Sequence, residues 1–255
     1  MYIIYLKRIY LLKISMNTLS KYKGGAMVSI ICCTIRQHLM NNIFHNYDIQ
    51  TLKEKELIII LNRDEIDKAI WEARASFSQN VSIFKLPEYV TLGDCLNFGI
   101  QHAKFNVIAK FDDDDYYSSN YLMSSIETLN KTNADIIGKR TIYMYFEEDR
   151  TLVVHKLGKE NKFVNQGLKG ATLIFKKEVC QNICFPNLNL GEDTYFIRKC
   201  IQNNFKAYSS DKYNYVCVRK SEEGHHTWKI NNQILLNKSV FICKTENYKP
   251  IVFKE

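Results

Sequence analysis

Residues 91–122 read TLGDCLNFGIQHAKFNVIAKFDDDDYYSSNYL, and three signals follow one another in them. Leu92, Leu96, Ile100 and Ala103 recur at helical spacing. FNVIAKFD, residues 105–112, is a short apolar run of the kind that forms a buried strand. Four adjacent carboxylates, Asp112 to Asp115, close that strand, and SNYLMSSIETLNKTN, residues 119–133, opens a second helical pattern. Four such charges repel one another in water. Within a fold they need a cation, a set of N–H donors or open solvent.

The same alternation extends upstream. MVSIICCTI (27–35), KELIIILN (55–62) and VSIFKLP (81–87) read as buried strands, the last stopped by Pro87. IRQHLMNNIFHNYDIQ (35–50) and DEIDKAIWEARASF (64–77) read as helices, the second with Ile66, Ile70 and Ala73 on one face. Strand and helix alternating in this way predict an α/β fold, a mostly parallel sheet with helices on both faces. Ligands in such sheets bind beyond the carboxyl ends of the strands, which is where the acidic run falls.

The second half changes character. Residues 134–158 read as strands with a hairpin, and KGATLIFKKEVC (169–180) as a strand leading into a helix. GEDTYFIRKCIQNNF (191–205) reads as a loop and a helix with Phe196 and Cys200 inward. Residues 206–220 read as one late strand and residues 230–243 as a C-terminal helix. No linker or repeat interrupts residues 27–255, which read as a single domain: a nucleotide half (27–120) and an acceptor half with a smaller sheet (121–255).

The composition, 46% hydrophobic and 24% charged, is that of a globular chain. The formal charge is +8, but Lys7, Arg8, Lys13, Lys21 and Lys23 fall in the first 26 residues, which hold no acid. The rest carries no basic stripe interleaved with aromatics, so nucleic acid is excluded as a partner. None of the eight cysteines forms a C-x-x-C pair, and they read as reduced core thiols of a cytoplasmic chain.

Two readings of residues 1–26 stand side by side. Their apolar runs, broken by Lys7, Arg8 and Lys13, suit a basic amphipathic helix on a membrane surface rather than a span. KGGAM is also what a purine-rich ribosome-binding site read in frame would encode, which would place the true start at Met27. Membrane association is expected to be peripheral at most, at the inner face.

The run 91–122, followed by KGATLIF, GEDTYF and HHTW in that order, resembles family 2 glycosyltransferases of the GT-A fold. The likeness spans about residues 27–230 and leans toward the small bacterial enzymes of cell-surface and spore-coat polysaccharide synthesis. It implies a D-x-D motif at Asp112, Asp113 and Asp114. Asp112 would face the nucleoside, Asp114 would ligate a metal directly, and Asp115 would be structural. Mg²⁺ or Mn²⁺ suits carboxylate and phosphate oxygens; an EF-hand loop is excluded, because no Gly or Glu falls at the required offsets. The likeness places Thr34, Arg36, Asp64, Gly93 and Asn97 along the nucleotide sugar. Asp64 reads equally as a helix N-cap, and Asn97 as a buried structural amide. Asp193 would be the catalytic base and Glu192 would orient it or touch the acceptor, with helix capping as the bland alternative. His226, or His225 in its place, would reach the metal or diphosphate, and Arg219 or Lys220 the phosphates.

The function these residues imply is metal-dependent, inverting transfer of a sugar from a UDP- or dTDP-sugar to a hydroxyl of a carbohydrate or lipid-linked acceptor. A sugar-phosphate nucleotidyltransferase competes, but CCTIRQHLMNN after the first strand lacks the Gly-rich loop such enzymes carry. A non-catalytic carbohydrate-binding protein on this fold is the third reading.

Overall fold

A computed structural model describes residues 27–220 and 230–255. Strands β1 (Val28–Thr34), β2 (Lys55–Leu61), β3 (Val81–Lys85) and β4 (Val107–Phe111) are parallel and lie in the order β3-β2-β1-β4. Helices α1 (Met40–Asp48), α2 (Lys68–Ala75) and α3 (Leu92–His102) connect them, and α4 (Tyr121–Thr132) follows. Side chains alternate across a strand, so β1 sends Ile30 and Cys32 to one face, where they pack with Phe44 and Tyr47 of α1. Ile31 goes to the other, against Cys95, Leu96 and Ile100 of α3. Gly99 lets α3 approach closely: a Cβ there would stand 2.7 Å from Ile31 Cγ2.

The sheet continues past β4 with mixed strand directions. In chain order the further strands are β5 (Tyr116–Tyr117), β6 (Ile136–Gly138), β7 (Ile142–Phe146), β8 (Thr151–His155), β9 (Lys162–Val164) and β10 (Ile174–Lys176). Helix α5 (Glu192–Gln202) then leads to β11 (Ala207–Ser209), β12 (Tyr215–Arg219), α6 (Asn232–Asn237), β13 (Ser239–Lys244) and α7 (Lys249–Val252). The large sheet has eight strands in the order β3-β2-β1-β4-β10-β6-β11-β9, and the second has five, β13-β8-β7-β12-β5. Strand β10 runs antiparallel to both β4 and β6, so the carboxyl ends of β4 and β6 lie at the same edge.

Several expectations are corrected. Helix α2 begins only at Lys68, capped by Asp67, whose side chain accepts from the Ala69 N–H at 2.9 Å. That start sets its phase: Trp71 turns inward while Ile70 is 48% exposed and Ala73 lies outside. Asp64 is therefore not the N-cap. The helix expected after residue 176 is a 3₁₀ turn, Lys177–Gln181. Residues 206–220 form two strands, one in each sheet, with Asn214 at φ +67° between them. Only Asn232–Asn237 of the expected C-terminal helix is helical; the β-branched and aromatic residues after it form β13. All eight cysteines are free, but Cys184 is exposed rather than in the core. No helix among the described residues is long and apolar enough to cross a membrane.

Candidate active site

The acidic run splits by parity. Asp113 and Asp115 are buried and each is satisfied within the fold. Asp113 accepts from Thr34 Oγ1 at 2.5 Å and from Arg36 Nε at 3.0 Å, and a second Arg36 nitrogen completes a fork. Burial alone would lower the Arg36 pKa, but Asp113 more than offsets it, so the guanidinium stays charged. Asp115 accepts from Tyr215 Oη at 2.5 Å and from the Val218 N–H at 3.1 Å. Burial, aided by Asp114 and Asp112, raises its pKa well above the usual carboxylate range. Helix α1 holds the backbone of the run: Asn42 Nδ2 donates to the carbonyls of Asp113 and Asp115, and Asn46 Nδ2 to that of Asp115.

Asp112 and Asp114 are the two members of the run that are only partly buried. Asp112, with its side chain 37% exposed, accepts from Lys110 Nζ at 2.5 Å. Asp114 Oδ2 lies 3.2 Å from Arg36. Among the described residues no group of three or more His, Cys, Asp and Glu side chains is placed to hold a metal by itself. Two hard carboxylates do fit an ion of the Mg²⁺ type, which is usually held by one or two carboxylates together with substrate phosphates.

The acids that open α5 meet this edge directly. Asp193 lies in the first turn of α5, and its carboxylate rests on Gly170, where an added Cβ would stand 2.0 Å from Oδ2. The Thr194 N–H donates to Asp193 Oδ1 at 2.5 Å, fixing the carboxylate from its own helix. Gly170 opens a 3₁₀ turn, Gly170–Thr172, just ahead of β10. That turn is bonded to the acidic run: Tyr117 Oη donates to the Ala171 carbonyl at 2.7 Å and accepts from the Asp112 N–H at 2.8 Å. The Tyr117 ring is held by stacking on Phe111, with centroids 3.8 Å apart. One hydroxyl thus joins the backbone under Asp112 to the backbone next to the seat of Asp193.

Lys110 occupies the middle. Burial would lower its pKa, but Asp112, Glu192 and Asp193 together raise it, so it carries a full charge. Glu192 is buried and its pKa is raised by burial despite Lys110. Lys110 was not singled out from the sequence, although a lysine in the apolar strand VIAKF was a visible signal. Tyr117 and the steric role of Gly170 carry no comparable local mark.

The remaining expected residues have other immediate partners. Gly93 makes a close backbone approach, but to Pro186, whose carbonyl oxygen would lie 1.8 Å from a Cβ. Asn97 pairs with both backbone groups of Phe185, each at 2.9 Å. Asp64 is exposed at the end of β2, and its Oδ1 accepts from the Glu88 N–H at 3.4 Å. Arg219 is buried and donates to Asn232 Oδ1 and the Ile230 carbonyl, both at 3.1 Å. His225 and His226 lie outside the described residues.

No curated protein sequence matches the chain significantly. Among solved structures it is similar to S. aureus TarS, residues 1–349, in complex with UDP-GlcNAc: 17% identity, TM-score 0.64, covering 80% of this chain and 61% of that one. It is also similar to the mannosyltransferase PcManGT from Pyrobaculum calidifontis in complex with GDP-Man and Mn²⁺: 16% identity, TM-score 0.59, covering 89% of this chain and 69% of that one. At such identities the likeness is one of fold, a GT-A-like arrangement of two sheets flanked by helices, and the chain spans about 61% of the TarS fragment. The model of glycosyl transferase family 2 matches residues 30–184, more than half of the chain and the whole of the acidic run Asp112–Asp115, and the protein belongs to that family.

Proposed function

We propose that the protein transfers a sugar from a nucleotide sugar to an acceptor hydroxyl, with inversion, and that Asp193 is the base. The observation that carries this reading is the seating of Asp193 on Gly170, bonded through Ala171 and Tyr117 to the backbone of Asp112. The donor lies along the carboxyl ends of β1 and β4. Thr34, Arg36 and Asp113 shape that floor, Asp112 faces the nucleoside, and Asp64, Gly93 and Asn97 border it. Asp112 and Asp114 would hold Mg²⁺ or Mn²⁺, with His226 as a further contact; such an ion, when bound, neutralises the diphosphate and stabilises the departing nucleotide. Arg219, held by Asn232 Oδ1 and the Ile230 carbonyl, is the proposed contact to the phosphates.

Asp193 accepts the proton of the acceptor hydroxyl. The oxygen forms its bond to the anomeric carbon as the bond to the diphosphate oxygen breaks, and the nucleoside diphosphate leaves with that electron pair. Lys110, beneath Asp112, Glu192 and Asp193, keeps three neighbouring acids from repelling one another. Glu192 orients Asp193. The biological setting we propose is synthesis of a bacterial cell-surface or spore-coat polysaccharide at the cytoplasmic face.

The test is a thermal-shift screen of UDP-, dTDP- and GDP-sugars with and without Mn²⁺, followed by NMR of the product's anomeric configuration. Stabilisation by one nucleotide class, enhanced by Mn²⁺, and an inverted product are expected. Retention of configuration, or pyrophosphate release from a nucleoside triphosphate and a sugar phosphate, would contradict the proposal.

A further inference from the structure

The acceptor side of the same edge holds an arginine whose guanidinium has no partner among the described residues. Arg140 follows β6 and is half-buried. Its Nε is buried and has no hydrogen-bond partner, and no carboxylate among the described residues pairs with its guanidinium. The backbone around it is firmly held: the Arg140 N–H donates to Ser209 Oγ at 3.2 Å. Gly167, at φ +81°, leaves the space the guanidinium fills; a Cβ there would stand 3.3 Å from Nε. A half-buried guanidinium with an orphaned donor is costly unless an anion completes it.

Register fixes where such an anion would sit. Ala109 of β4 and Ile137 of β6 both face Ile174 of β10, so Asp112 and Arg140, each three residues on and just past the end of its strand, leave the sheet at the same edge. They are separated by two strand spacings, about 10 Å. The turn Gly170–Thr172, with Asp193 against it, lies between them: the Lys139 N–H donates to Thr172 Oγ1, and the Lys169 N–H to the Lys139 carbonyl, both at 2.8 Å. Along the edge the order is acidic run, base, arginine. In a displacement with inversion the acceptor lies on the side of the sugar away from the leaving diphosphate, which is the side of Arg140. The neighbouring segment 156–169 adds Lys156, Lys159, Lys162 and Lys169 against Glu160 alone. Glu160 is itself engaged by Lys212, through its N–H at 3.0 Å and Nζ at 3.4 Å.

We infer that Arg140 anchors an oxyanion, a phosphate or a carboxylate, carried by the acceptor close to its reacting hydroxyl. This rests on the transfer reading above and narrows its acceptor to an anionic one. The planar fork of arginine suits either oxyanion and does not suit a neutral sugar.

The test is calorimetric titration of methyl phosphate, acetate and glycerol into the protein alone and into the protein saturated with UDP and Mn²⁺. The wild type should take up one oxyanion at least tenfold more tightly than glycerol in both forms, and which one it prefers tells phosphate from carboxylate. Arg140→Gln should lose at least fivefold of that affinity, with UDP affinity unchanged within twofold; Arg140→Lys, which keeps the charge and loses the fork, should fall between. Since the guanidinium makes no hydrogen bond among the described residues, both variants should fold, and Tm checks it. The inference is overturned if the anions bind no better than glycerol, if Arg140→Gln binds them as the wild type does, or if UDP competes them away. It is equally overturned if Arg140→Gln weakens UDP by the same factor, for the anion would then be the donor's diphosphate. Failure of UDP to bind at all would sink the donor reading alone, and titration of the free protein would still decide whether Arg140 holds an anion.

Discussion

Gly170 is the residue on which the position of Asp193 depends. An alanine there would put its Cβ 2.0 Å from Asp193 Oδ2, so the carboxylate must move. Misplacing a catalytic group by about 1 Å costs on the order of 100-fold in rate. Gly170→Ala should therefore lower kcat by about that factor and leave nucleotide affinity intact, as separate kinetics and calorimetry would show. Lys110→Met removes the cation shared by Asp112, Glu192 and Asp193. Breaking a pair on a buried lysine is expected to cost on the order of 3 kcal/mol, measured by urea unfolding; a loss below ~0.5 kcal/mol would remove Lys110 from this role. At this scale the sequence marked out the acids, and the family likeness set Asp115 apart as structural, but nothing in the run showed that Asp113 turns inward with it. That inward turn comes from parity at a strand end: alternate residues of Asp112–Asp115 turn inward, and their partners Arg36, Tyr215 and Val218 lie as far as 103 residues away.

Helix α3 and the segment leading into α5 behave as a clamped pair. Asn97 closes both backbone groups of Phe185, and Gly93 admits the Pro186 carbonyl. Asn97→Ala would leave the Phe185 N–H and carbonyl without partners, a loss of about 2 kcal/mol. Because that segment carries the start of α5, the same variant should lower kcat more than it weakens nucleotide binding; equal effects on both would assign Asn97 to the donor instead. The elements themselves were legible where local periodicity and burial agree, as in β1, β2, β4 and α3. They were misread where capping shifted the phase, as in α2, whose Asp67 cap puts Trp71 inside. They were also misread where a partner strand decides the outcome: Ser239–Lys244 pairs antiparallel with β8, and that pairing leaves no trace in its own spacing.

At the scale of the molecule, the parallel half of the large sheet follows from four adjacent strand–helix repeats. The five-stranded sheet, by contrast, joins segments far apart in the chain, such as β12 with β5 and β7. That sheet carries a pH-sensitive residue. His155, on β8, is buried, with Nδ1 3.1 Å from Ser239 Oγ. Burial, and then the nearby cations Lys169, Lys156 and Lys238, lower its pKa to about 4. Its pKa falls on folding, so the neutral imidazole is favoured in the native state. The stability this provides is complete above the unfolded value of about 6.5 and is lost as pH falls through about 4. Thermal unfolding between these limits should show Tm falling with pH, and His155→Gln should flatten that limb; an unchanged slope would contradict the assignment.

The most direct measurement is nucleotide release from the preferred donor by wild type and Asp193→Asn at matched occupancy, with UDP affinity measured alongside. Loss of a general base is worth about 10² to 10⁴ in rate. A fall of that size with UDP affinity unchanged is the predicted result. Equal turnover by the two proteins, or release that the wild type never shows with any donor or metal, would contradict the assignment of Asp193 and, with it, the reading of the whole edge.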